Sequence, residues 1–176
     1  MILKPQDTLL LLKYWSVNQS AKIVSVRDLA EMISISPGEV SKSTKRLITA
    51  RLAVERHGKV FAESNAMIEW LCYGVRYAYP QENGGYGRGL ETSWNCKILN
   101  SEMVPPSPAL VWSIPQGSVE GILIEPFHKS VPMVAGQDKS LYEALSLIEA
   151  IRGGKPRELL IARKLLTDLI KGNNEK

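Results

Sequence analysis

The stretch from Ser25 to Lys59, SVRDLAEMISISPGEVSKSTKRLITARLAVERHGK, constrains this chain most. It holds two helix-period segments joined by a short turn, and then the period changes to that of strands. In the first segment Ser25 suits an N-cap, with Asp28 three residues on. Val26, Leu29, Ala30 and Ile33 form one apolar face. Ser34-Ile35-Ser36 is the turn, with Ile35 expected to point inward. The second segment runs from Ser36 to about Ala50 and opens Ser-Pro-Gly-Glu. Ser36 can cap it, Pro37 suits the first helical position, and Glu39 has capping-box spacing. On a helix, Val40, Thr44 and Leu47 share one face with Ile48 beside them. Lys42, Lys45, Arg46 and Thr49 fall opposite. Leu52–Glu55 and Lys59–Ala62 then flank Arg56-His57-Gly58, and the glycine suits the tip of a tight hairpin.

Charge follows the same segment. The chain carries 22 basic and 18 acidic residues, a net charge of +4. Residues 1–63 hold ten Lys and Arg against six Asp and Glu, whereas residues 64–176 hold twelve of each. The whole excess therefore lies in the N-terminal third. Lys42, Lys45, Arg46, Arg51, Arg56 and Lys59 concentrate it between residues 36 and 59. A compact basic segment beside a neutral remainder is a footprint for a polyanion. A helix buried on one side and basic on the other has the form of a DNA recognition helix, although a solvated lysine face gives the same pattern.

The order helix, helix-turn-helix, hairpin resembles the winged helix-turn-helix transcription regulators, most like the MarR-type and related bacterial repressors. The residues that carry the resemblance are VSVRDLAEMISISPGEVSKSTKRLITARLAVERHGKVF, and it covers roughly residues 5–63. It implies that the second helix of the motif lies in the major groove and the hairpin, or wing, reaches the DNA backbone or minor groove. Carried over by position, Ser36, Ser41, Lys42, Lys45, Arg46 and Thr49 would face DNA from the helix. Arg56, His57 and Lys59 would do so from the wing, whose shortness suggests a light phosphate contact.

The rest of the chain reads as follows. Residues 5–16 predict a helix with Pro5 and Asp7 in its first turn. Leu9 to Leu12 point in four directions, so this helix needs cover on more than one side, from the C-terminal part or a second subunit. Lys22–Val24 could form a short strand. Residues 64–79 predict a helix capped by Ser64, with Ile68, Leu71, Cys72, Val75 and Tyr79 at apolar spacing. Trp70, Tyr73 and Tyr77 read as core or interface. The Gly- and Pro-rich segment 80–116 reads as a long loop wrapping the core, anchored by Trp94 and Trp112. Its Gly84–Gly89 run lacks the Gly-Lys-Ser/Thr of a phosphate loop, but Arg88 among glycines, with Tyr86, Trp94 and Trp112, is a candidate anion or effector site. Val119–Glu125 predicts a strand ended by Pro126. Ser140–Arg152 predicts a helix with Leu141, Ala144, Leu145, Ile148 and Ile151 inside and Glu143 and Glu149 outside. Gly153-Gly154 breaks it and Pro156 begins another, with Leu159, Ala162, Leu166, Leu169 and Ile170 buried and Leu160 and Ile161 widening the stripe. Gly172–Lys176 reads as a frayed tail.

These readings give an α+β fold, mainly helical, divided into a winged helix-turn-helix at 1–63, a linking helix at 64–79 and a C-terminal dimerisation, partner or effector domain at 80–176. No cofactor is implied. Cys72, Cys96, His57 and His128 lie too far apart in sequence for a metal motif. His128 has no triad partner nearby. No paired carboxylates or activated nucleophile mark an enzyme, although Arg88, Glu120, Glu125 and His128 could converge. The lack of a membrane-length apolar run or signal peptide points to the cytoplasm. The expected function is sequence-specific binding of double-stranded DNA as a homodimer, with repression more in keeping than activation. The alternative is an antitoxin-like or adaptor protein that grips a protein partner through residues 64–176 and binds DNA only to regulate itself.

Overall fold

The computed structural model describes residues 2–20 and 23–172. Helix α1, Pro5–Asn18, lies at the centre of the N-terminal third. Leu9, Leu10, Leu11 and Leu12 are all fully buried, and Trp15 is nearly so. The chain covers α1 itself. Helices α2 (Val26–Ile33) and α3 (Pro37–Thr49) pack on one side, and α8 (Lys139–Gly153) packs on another. One hydrophobic cluster runs from Leu9 to Ile170 without a break between the thirds of the chain. Polar ties reinforce this join. Lys13 Nζ donates to Gln137 Oε1 at 2.6 Å, and Ser16 Oγ donates to Asp138 Oδ2 at 2.9 Å. Trp70 Nε1 donates to Thr8 Oγ1 at 3.0 Å.

Local sequence explains the corner between α2 and α3. Ser25 and Asp28 form a reciprocal capping box at the start of α2. Ser34 ends α2 in the left-handed region at φ 53°, and the Ile35 N–H returns to the Ala30 carbonyl. That closes the turn and brings the half-buried Ile35 onto the core. Ser36 Oγ then accepts from the Glu39 N–H at 3.2 Å, starting α3. The second half of the expected capping box is not made, because Glu39 turns instead to Lys42 and Gln6. Of the expected strand at Lys22–Val24, Lys22 lies outside the described residues, and Ile23 and Val24 are not in a strand. Residues 173–176 of the expected tail also lie outside them.

Strands β1 (Ala53–Arg56) and β2 (Lys59–Ala62) form the expected antiparallel hairpin. The next helix is not continuous. Helix α4 (Ser64–Glu69) passes through a π turn at Trp70–Gly74 into α5 (Val75–Ala78). Its N-cap residue is Glu63 rather than Ser64. The Trp70 ring lies so close to Gly74 that a Cβ there would stand 2.5 Å from Cε3.

The segment expected to be a loop is largely ordered structure. β3 (Glu82–Glu91) runs antiparallel to β5 (Val119–Glu125) and, through Gly89–Glu91, to β4 (Ala109–Ser113). β4 and β5 pair in parallel, so three strands close into a small ring. Strands can approach this tightly only where a side chain is missing. A Cβ on Gly89 would collide with the Trp112 carbonyl oxygen, and one on Gly121 with that of Ala109. The glycines that made the segment look like a loop are what let it close as a sheet. Helix α6 (Lys97–Asn100) lies in the connection from β3 to β4, and α7 (Val131–Ala135) follows β5 and packs on α8 and α2.

The helical pair ends the chain as expected, with α8 and α9 (Pro156–Gly172) meeting at Gly153-Gly154. Two side chains differ from expectation. Leu160 is 70% exposed rather than covered. Glu149 is fully buried rather than outside, because Arg152 Nη1 meets its Oε2 at 2.6 Å. Arg152 also donates to the carbonyls of Tyr79, Pro80 and Glu125, so it gathers the start of the sheet region, the end of β5 and α8 around one guanidinium. Burial pushes the Glu149 carboxyl up, against the opposing pull of Arg152.

Candidate nucleic-acid interface

The outward face of α3 carries Ser41, Lys42, Lys45 and Thr49, all exposed, with Ser36 at its N-terminal end. The hydroxyls are half committed. Ser41 Oγ donates to the Pro37 carbonyl at 3.1 Å, and Thr49 Oγ1 donates to the Lys45 carbonyl at 2.9 Å. Their oxygens remain free to accept from outside. Lys42 meets Glu39 at 3.2 Å while remaining 69% exposed. This Lys42 hydrogen bond holds the Glu39 carboxyl below its ordinary range. Such a surface pair is weak, screened by solvent and readily exchanged for another anion. Among the described residues no carboxylate forms an ion pair with Lys45.

Arg46 does not belong to this face. Its Nε and Nη2 donate to the two oxygens of Asp7, each at 2.7 Å, and Nη2 also reaches Ser43 Oγ at 3.0 Å. Asp7 is fully buried and also accepts the Lys4 N–H at 2.8 Å. These hydrogen bonds to Asp7 push the Arg46 guanidinium further up. To read a base, Arg46 would have to leave a buried carboxylate unpaired, at a cost of about 3–5 kcal/mol. It is a tie, not a reading residue. Tyr14 adds a second tie, its hydroxyl 2.8 Å from Thr44 Oγ1. Together they fix the rotation of α3 about its own axis against α1. Helical periodicity places Arg46 opposite the apolar face, with Lys42, Lys45 and Thr49, whereas in the fold it is half-buried on the flank of α3. Only the fold shows that an acid 39 residues upstream meets it there.

The hairpin projects beside α3. His57 and Gly58 both have positive φ, 51° and 72°, the conformation of a type I′ turn. Arg56, His57 and Lys59 are exposed, and Arg56 is paired with Glu63 at 3.0 Å. The outer edge of β2 is held by a side chain. Asn18 Nδ2 donates to the Val60 carbonyl at 3.1 Å, and Asn18 Oδ1 accepts from the Ala62 N–H at 3.2 Å. One amide thus does the work of a neighbouring strand and anchors the hairpin to α1. Nothing in the sequence pattern marks Asn18 for this role.

The candidate anion or effector site is not assembled. Trp94 and Trp112 are core residues, 7% and 0% exposed. Tyr86 projects from β3 at 64% exposure. Arg88 pairs with Glu120 across β3 and β5 at 2.7 Å, so its charge is already answered. The strand alternation of β3 disperses side chains that a loop could have gathered. His128 is half-buried, and its Nδ1 accepts from the Ser130 N–H at 3.2 Å. Burial, with Lys129 nearby, pushes the imidazole below its ordinary value. Cys72 and Cys96 are buried free thiols. Among the described residues no group of three or more His, Cys, Asp and Glu is placed to hold a metal, and no helix is long and apolar enough to cross a membrane.

No family model matches the chain, and neither does any curated protein or solved structure. The functional reading rests on the chain's own geometry.

Proposed function

We propose that the protein is a winged helix-turn-helix DNA-binding regulator, with α3 as its recognition helix and the β1–β2 hairpin as its wing. The observation that carries the reading is the division of charge on α3. Arg46 is fastened inward to α1, and Ser41, Lys42, Lys45 and Thr49 face outward beside an exposed basic hairpin tip. A frame tied to α1 and presenting exposed cations and hydroxyls on one helix face suits the major groove. Lys42 and Lys45 would contact phosphates or guanine, while Ser41 and Thr49 would accept from base-edge amino groups. Lys59 and His57 would meet the backbone from the wing. These are few base contacts, so the operator should be a pseudo-palindrome read by two copies, with recognition helices about 34 Å apart. A repressor working in the cytoplasm is the simplest form of this reading.

The test is selection of bound duplexes from a random pool. Wild-type protein should enrich a two-fold-related motif, and Lys42→Ala with Lys45→Ala should lose it while remaining folded. Recovery of the same motif by that double variant would refute the assignment of α3. Arg46→Ala is unsuited to the purpose, since it would unpair a buried acid.

The partner-binding alternative has one observation in its favour. Tyr73, Tyr77 and Leu160 are 58%, 76% and 70% exposed on the α4–α5 and α9 side of the molecule. A chain of this kind would bind DNA weakly alone and tightly with its partner.

A further inference from the structure

Apart from Arg46, which is tied to Asp7, Arg51 and Arg56 are the basic residues of the 36–59 cluster without a proposed DNA contact, and among the described residues only Arg56 of the two is in an ion pair. Arg51 directly follows the C-cap of α3, Ala50, and adopts φ 60°. The backbone there closes the helix in the usual way. The Arg51 N–H returns to the Ile48 carbonyl at 3.0 Å, and the Leu52 N–H to the Leu47 carbonyl at 3.0 Å. This position of a helix end belongs by preference to glycine, because a Cβ is unfavourable in the left-handed region. An arginine here works against the local backbone, and an observed outlier of this sort is a reason to look for a use.

The surroundings supply one. Arg51 and Arg56 line an open groove of about 540 Å³ between the end of α3, strand β1 and the start of α4. Asn65 faces the same space. The groove's carboxylate, Glu63, is engaged by Arg56 at 3.0 Å. Arg51 is exposed, and among the described residues no hydrogen bond or ion pair holds its guanidinium. The groove thus presents an uncommitted planar cation, a second arginine paired with Glu63, and an amide, beside the apolar Ile48, Ala53, Val54 and Ala66. It lies where the recognition helix and the hairpin meet.

We infer that this groove receives a DNA backbone phosphate, with Arg51 as the contacting residue and Arg56 supporting it. The inference rests on the DNA-binding reading and adds to it a contact outside the α3 face. A guanidinium suits it because its fork can take two phosphate oxygens at once.

The experiment compares the wild-type protein with Arg51→Gly and Arg51→Lys, using thermal unfolding and salt-dependent binding to a selected duplex. Arg51→Gly should unfold at a higher temperature, since it relieves the left-handed strain, and yet bind about three- to tenfold more weakly. The slope of log affinity against log salt should become shallower by about one. Arg51→Lys should keep the wild-type slope. A more stable Arg51→Gly protein with wild-type affinity and slope would overturn the inference, while loss of binding in the Lys42→Ala, Lys45→Ala variant would show that the α3 reading still stood. If the wild-type protein binds no duplex at all, the DNA-binding reading falls, and this inference falls with it.

Discussion

Two sets of charged side chains in this molecule look alike in sequence and behave in opposite ways. Asp7 with Arg46, and Glu149 with Arg152, are drawn inside as close ion pairs, although one Glu149 oxygen, Oε1, is buried without a hydrogen-bond partner. Lys42, Lys45, Lys59 and Arg51 lie on the outside, with at most a loose surface pair. The inner set holds elements in place: Arg46 joins α3 to α1, and Arg152 joins the sheet region to α8. The outer set has little to do in the isolated fold. Charges that the fold does not use are available to a ligand; others are scattered over the surface, but Lys42, Lys45, Arg51 and Lys59 lie together on α3, at its C-terminal end and on the hairpin.

The largest effect that could break this contrast is in the core of the C-terminal region. Glu149→Leu leaves the Arg152 cation buried and should destabilise the fold by about 3–5 kcal/mol, measured by urea unfolding. A loss below about 1 kcal/mol would mean that the three carbonyls alone satisfy Arg152. Asp7→Ala should cost less, about 2–3 kcal/mol, because Arg46 keeps 17% of its side chain in solvent and can turn outward. If α3 is oriented by this tie, the variant should also lose duplex affinity at a temperature where it is still fully folded.

Smaller effects sharpen the contrast. His57 sits in a left-handed tip position that asparagine tolerates better, so His57→Asn should stabilise the hairpin by about 0.5 kcal/mol in thermal unfolding. The two histidines also divide by region. His128 is held neutral in a half-buried site, with a pKa pushed below its ordinary value. The sign follows from that depression. Stability from His128 is full above the unfolded value of about 6.5 and is lost as pH falls through the folded value. Wild-type stability should therefore decline as pH falls below about 6.5, and His128→Asn should flatten that part of the profile.

Legibility followed the same division. The α2–α3 corner was readable because caps and apolar period agree at most positions, from Ser25 and Asp28 to Val40 and Leu47; the exceptions are Val26, which is 45% exposed, and Glu39, which does not complete its capping box. α1 was readable as a helix needing cover on several sides, and the cover proves to be α8 and the α2–α3 pair. β3 was not readable, since its glycines suppress strand propensity and their purpose, a close strand approach at Gly89, exists only in three dimensions. Arg46 was misplaced for a related reason. Periodicity gives the direction of a side chain but not the partner it meets, and Asp7 could be assigned to a helix dipole without reference to α3. Glu149 repeats the case, an acid read as outward because no sequence rule couples it to Arg152 and three distant carbonyls. The hairpin was legible at its tip but not in its anchoring by Asn18.

The most direct test of the account is the binding of duplex DNA by wild-type protein and by the Lys42→Ala, Lys45→Ala variant across a salt series, with unfolding followed in parallel. The account predicts stability within about 0.5 kcal/mol of wild type, because these side chains belong to the unused outer set. It also predicts weaker binding, with a salt slope shallower by about two. Unchanged binding and slope in a folded double variant would contradict it.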